Sequence, residues 1–163
     1  MSRAFPYGRL VCVLALCVAP VISSFPAAAH AADDARSLGL PFSDARRAGD
    51  LLILSGQIGN RPGTLELAAG GITGQAAQAL DNVKTIVERH GLTMADVVKC
   101  TVMLADMRDW AAFNEVYVRY FPEPRPARSA FGAAGLAVGA ALEIECWASF
   151  DRRHGEVVTQ PPG

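Results

Sequence analysis

Residues 126–148 read PARSAFGAAGLAVGAALEIECWA, and the fold turns on how this stretch is divided. From Leu142 to Trp147, apolar and polar residues alternate. Leu142, Ile144 and Cys146 face one way and Glu143, Glu145 and Trp147 the other, the period-two pattern of a half-buried strand. A second strand-like run, ARSAF, precedes it, and the glycine-bearing GAAGLAVGA separates the two. Antiparallel pairing about Gly135-Leu136 is the expectation, and it would set Arg128 opposite Glu143. A cross-strand ion pair of about 0.2–1 kcal/mol on a wet sheet face explains such a pair blandly. Two features point instead to a site. Pro124 and Pro126 stiffen the backbone that presents Arg128. Glu143 and Glu145 share a face roughly 6.5–7 Å apart, which suits one of them to proton transfer where that face is covered.

Working outward, Val97–Leu104 is rich in β-branched residues and reads as a strand; the apolar run Leu51–Leu54, after the turn Ala48-Gly49-Asp50, reads as another. Between them Ala76, Leu80, Val83 and Val87 recur at helical spacing, with Thr73 as the expected cap and His90-Gly91 as the stop. Asp106 or Asp109 opens a second helix whose Trp110, Phe113, Tyr117 and Tyr120 form one stripe, and Pro122 and Pro124 close it. The order strand, helix, strand, helix, strand predicts an α+β domain: one sheet, with two helices on one face. Trp147 on the other face calls for burial against another subunit.

The chain has 163 residues. Residues 1–31 combine Arg3 and Arg9, an apolar run from Leu10 to Ile22 and a small-residue tail. That is the pattern of a removable signal peptide, cut after Ala31 or Ala29. Residues 32–39 read as a loose lead-in, 40–153 as the domain and 154–163 as a polar tail. The expected location is therefore exported, periplasmic or secreted, with no membrane contact after cleavage. Loss of the leader would take Lys and Arg from 15 to 13 against 16 acids, a net charge of −3. An acidic chain without a basic stripe argues against nucleic acid as a partner. Cys12 and Cys17 would leave with the leader. Cys100 and Cys146 read as small core residues, with a disulfide between them as the alternative. His30, His90 and His154 are scattered, so no metal site is expected. No nucleophile elbow or phosphate-cradling loop is present either.

Three segments together, LPFSDARRAGDLLILSGQIG, the helical region from GGITGQ through LDNV to NEVYVRYFP, and PARS with EIE downstream, resemble the Rid family (RidA, or YjgF) from Leu40 to Ser149. The resemblance implies a chorismate-mutase-like fold, a homotrimer with sites between subunits, and cofactor-free hydrolysis of enamines and imines such as 2-aminoacrylate or 2-iminobutanoate to 2-oxo acids and ammonia. It assigns Arg128 to the substrate carboxylate and Glu143 to the attacking water. Ser55 and Gly56 correspond to a substrate-holding loop, Asn114 to a residue near the cleft, and Ala130 to a backbone contact. Glu145 is implied to be supporting. Phe42 stands where the family has a tyrosine, which removes a hydroxyl from the site. A non-catalytic trimeric binder or holdase-like protein is the alternative function.

Overall fold

The structure, a computed structural model, describes residues 34–151. The signal-peptide reading, the cysteines at 12 and 17 and the tail at 154–163 lie outside the described residues. A short helix α1 (Asp34–Ser37) leads into a hairpin of β1 (Ala45–Ala48) and β2 (Leu51–Leu54). The two-residue β3 (Gln57–Ile58) follows, then α2 (Gly71–Arg89), β4 (Val97–Leu104), α3 (Trp110–Tyr117), β5 (Ala127–Gly132) and β6 (Leu142–Ser149). The strands form one sheet in the order β1-β2-β6-β4-β5, with β3 pairing β6.

One departure from expectation decides where the site residues go. β5 does not form a hairpin with β6. It runs parallel to β4, and β4 lies antiparallel to β6, so β4 separates the two strands. The unit β4-α3-β5 is a strand-helix-strand crossover, which needs parallel strands, and the 133–141 connection carries the chain back across β4. Arg128 is consequently level with Cys100, and Cys100 with Cys146, while Glu143 is level with Met103.

The core lies between the sheet and the two helices. Leu52, Leu54, Val102, Leu104, Leu142 and Ile144 from the sheet meet Ala76, Leu80, Val83 and Val87 of α2 and Phe113 and Tyr117 of α3. Full burial of each large aliphatic side chain contributes about 1.5–3 kcal/mol. The helical spacing read from the sequence is therefore the packing face. α2 starts at Gly71 with Gly70 as its N-cap, so Thr73 lies inside the first turn and does not cap it. Its end follows expectation: Gly91, at φ +77°, donates to Glu88 O and Leu92 donates to Val87 O, a paired closure that spends the last carbonyls. Asp106 accepts from the Arg108 amide and so opens the turn before α3.

Cys100 and Cys146 are fully buried register partners on neighbouring strands and form a disulfide with Cα atoms 4.2 Å apart. Of the two states the sequence left open, the bonded one is present. Among the described residues, neither α2 nor α3 packs on the opposite sheet face. Trp147 and Phe131, both on it, are 38% and 50% exposed.

Candidate active site

Glu143 sits on the open face of β6, half-buried, between Leu142 and Ile144, which are both in the core. Its carboxylate reaches the loop after β2. A Cβ built on Gly56 would lie 1.8 Å from Glu143 Oε1 and 2.7 Å from Cδ. Only a residue without a side chain lets the loop backbone approach that acid. The loop is braced from behind. The Ser55 hydroxyl donates to Ser43 O at 2.6 Å and the Ser55 amide to Asp44 O at 2.8 Å, which ties it to the segment bearing Phe42. Ser55 therefore positions the wall beside Phe42.

These residues line a cavity of about 320 Å³ that contains Phe42, Gly56 and Glu143. Its apolar side is supplied by Leu38, Leu40 and Ile58. The stretch read as a loose lead-in is thus part of the site: Ala35 is buried, and its amide donates to Asp44 Oδ1 at 3.0 Å. Asp44, itself buried, pairs with Arg89 of α2 at 3.4 Å. Asn82, in LDNV, donates to Ile58 O and Asn60 O at 3.2 and 3.0 Å and fixes the far wall. Asp44 and Asn82 were not singled out from the sequence. Each is an ordinary polar residue in a helix or turn until the fold brings two segments to it.

Arg128 stands elsewhere. Level with the buried Cys100, it faces the helix side of the sheet at its β5 edge, half-buried under α3. Its guanidinium carbon lies 4.5 Å from the ring centre of Tyr117, 5.1 Å from that of Trp110 and 5.7 Å from that of Phe113. Among the described residues it makes no ion pair or hydrogen bond through its side chain. Asn114, four residues after Trp110 on the same helical face, and Ala130, two residues along the same strand face, belong to this region. Burial pushes the Tyr117 phenol up to about 12, against the pull of Arg128 and Arg125. Its hydroxyl is buried and has no hydrogen-bond partner among the described residues.

Within one chain, then, Phe42, Ser55, Gly56 and Glu143 come together, and Arg128, Asn114 and Ala130 form a separate group on the other sheet face. The expected juxtaposition of Arg128 and Glu143 across a hairpin is not present, because β4 intervenes and the register sends the two side chains to opposite sides. Glu145 shares the open face with Glu143, as the alternation requires. Chemically, one end offers a recessed carboxylate and the other a guanidinium with all its donors available.

The endoribonuclease L-PSP family matches residues 35–150. The human protein named 2-iminobutanoate/2-iminopropanoate deaminase is 41% identical over 105 residues, 64% of this chain and 77% of that one. Reactive Intermediate Deaminase A, chloroplastic, of Arabidopsis thaliana is 41% identical over 67% of this chain, which spans 58% of the plant protein's length. The 1.2 Å crystal structure of the YjgF gene product of E. coli superposes with a TM-score of 0.64 at 41% identity, over 68% of this chain and 88% of that one. The match covers both groups of site residues and the whole sheet between them: the chain belongs to the endoribonuclease L-PSP, or Rid, family.

Proposed function

We propose that this protein hydrolyses small 2-imino acids, and their enamine tautomers, to 2-oxo acids and ammonia, a reading supported by its similarity to proteins named Reactive Intermediate Deaminase A and 2-iminobutanoate/2-iminopropanoate deaminase. Arg128 binds the substrate carboxylate through two parallel N–H donors. Glu143 takes a proton from water as the oxygen adds to the imine carbon. It returns that proton to nitrogen to give a carbinolamine, then passes the proton of the new hydroxyl to the same nitrogen as the C–N bond breaks, so that ammonia leaves and a carbonyl remains. An imine is already electrophilic, so orientation and charge placement are what the protein must supply. Ser55, Gly56 and Phe42 wall the acid end; Asn114 and Ala130 flank the cation. Phe42 keeps the ring wall but brings no hydroxyl. No cofactor enters this chemistry.

The observation that carries the reading is the separation itself. A pocketed carboxylate and an unpaired guanidinium, on opposite faces of one sheet, are complementary halves that a second copy can join. We assign the assembly as a homotrimer with the site between subunits, supported by the exposed Trp147 and Phe131 on the sheet face away from α2 and α3. Export, with the leader removed, is supported by the Cys100–Cys146 disulfide, a bond that persists in oxidising compartments. The family description names an endoribonuclease, but a chain of net charge −1 has no electrostatic footprint for RNA.

The test is ammonia release from 2-iminobutanoate generated in situ by an amino-acid oxidase. Arg128→Ala and Glu143→Gln are each expected to lose about a hundredfold or more in kcat/KM. Co-expressed in equal amounts, the two inactive chains should recover about a quarter of wild-type activity, since one interface in four then pairs an intact arginine with an intact glutamate. No recovery would refute the shared site. Binding of 2-oxobutanoate without turnover by the wild type would favour the non-catalytic binder, for which Phe42 is the specific support.

A further inference from the structure

We infer that Trp110, Phe113 and Tyr117 form an aromatic seat that holds Arg128 by its flat faces, with Trp110 as the positioning residue that aims the guanidinium at the substrate carboxylate. This rests on the deaminase reading for what Arg128 grips, but not for how it is held.

The three rings recur at i, i+3 and i+7 of α3, which brings them onto one helical face. That face meets β5 at Arg128, with ring centres 4.5, 5.1 and 5.7 Å from the guanidinium carbon. Cation–ring attraction acts through the face of each ring and uses none of the five N–H donors. An aspartate or glutamate in the same place would hold the arginine as firmly but would compete with the ligand's carboxylate for those donors. The seat immobilises the cation and leaves its hydrogen-bonding edge free. An arginine that has already given up rotamer freedom loses less on binding.

The seat is stiff behind and open in front. Phe113 and Tyr117 are buried, their ring centres lie 5.6 Å apart, and Phe121 packs at a tilt against Tyr117 with ring centres 4.5 Å apart. The Tyr117 hydroxyl is enclosed, and the guanidinium lies over the ring of that residue. Trp110 is 36% exposed and closes the solvent side. It contributes little to the core, so its removal separates positioning from folding. The stripe of aromatics visible in the sequence thus does two things: its inner members fill the core, and its outer member holds a functional side chain.

The experiment measures both turnover of in situ 2-iminobutanoate and calorimetric binding of 2-oxobutanoate, on the full mature protein. Trp110→Leu should raise KM and weaken 2-oxobutanoate binding about fivefold to tenfold, with kcat within about twofold of wild type. Trp110→Phe should restore both to within about twofold, because a smaller ring still presents a face. Unchanged binding in Trp110→Leu, or a loss that Phe does not repair, overturns the seat. Should Trp110→Leu fail to fold by circular dichroism, Trp110→Gln serves as the ring-free variant. If wild type binds 2-oxobutanoate but releases no ammonia, the deaminase reading falls and the binding series still decides the seat. If it does neither, both fall.

Discussion

The two ends of the site are held by opposite kinds of force. The glutamate end is a frame of polar bonds. Asp44 accepts from Ala35 and pairs with Arg89, Ser55 donates to Ser43, and Asn82 donates to two carbonyls. The arginine end has three aromatic faces and no polar bond from the guanidinium among the described residues. The difference fits the roles proposed for the two ends. A loop that approaches Glu143 closely through Gly56 has few side-chain atoms of its own to pack, so hydrogen bonds from neighbouring segments define its path. A guanidinium that offers its donors to a ligand, as proposed for Arg128, cannot also spend them on the protein. Polar framing and face-on packing are therefore two answers to the same problem of holding a reactive group still.

The contrast can be broken from several sides. The largest expected effect joins the two ends. The disulfide ties β4, neighbour of the arginine strand, to β6, which carries the glutamate, across 46 residues of sequence. Closing a loop of that length is worth about 4 kcal/mol in chain entropy, so urea unfolding with and without reductant should differ by about that much. Next comes the polar frame. Asp44→Ala strands Arg89, whose side chain is only 13% exposed and whose Nε already lacks a partner. A loss of about 3 kcal/mol in chemical unfolding is expected. No comparable loss should follow from Trp110→Leu at the other end.

Gly56→Ala sharpens the comparison in activity more than in stability. The new methyl would occupy the position of Glu143 Oε1, and the end of a flexible side chain can swing aside, so about 1–2 kcal/mol of stability is expected to go. The displaced carboxylate should lower kcat for imine hydrolysis about tenfold to a hundredfold, with KM little changed. The smallest effect lies at the seat. Tyr117→Phe deletes a buried hydroxyl that has no partner among the described residues, so stability at pH 7 should stay within about 1 kcal/mol of wild type or rise. At alkaline pH the sign is set by burial, which pushes Tyr117 up to about 12 from 10.0. The unfolded chain ionises first, so the contribution of the neutral phenol is intact below pH 10 and is lost as pH rises toward 12. Thermal unfolding between pH 10 and 12 should therefore fall less steeply in Tyr117→Phe than in wild type. Tyr120, also raised to about 12 by burial and its bond to Asp81, keeps part of the slope.

Both ends were legible as chemistry, but to different depths. Glu143 was readable from the alternation in LEIECW, which reports on local geometry, whereas Gly56 read only as the end of a strand and took its place in the site from the resemblance of SGQI to the family. Asp44, Asn82 and the wall from Leu38 and Leu40 were not readable, because their roles are made by segments distant in sequence. The seat was visible only as a stripe. Helical spacing states that Trp110, Phe113 and Tyr117 share a side, and not what lies against it.

By itself, the sequence determined the type of each main element, the face each strand residue takes and the residue types available for chemistry, because backbone periodicity sorts side chains over a few neighbouring positions. The tertiary structure alone decided which strands are neighbours. It placed β4 between Arg128 and Glu143, set Cys100 against Cys146 and seated the arginine under α3. Strand pairing is a long-range choice: a hairpin and a crossover present the same alternation, and only packing of the whole chain distinguishes them.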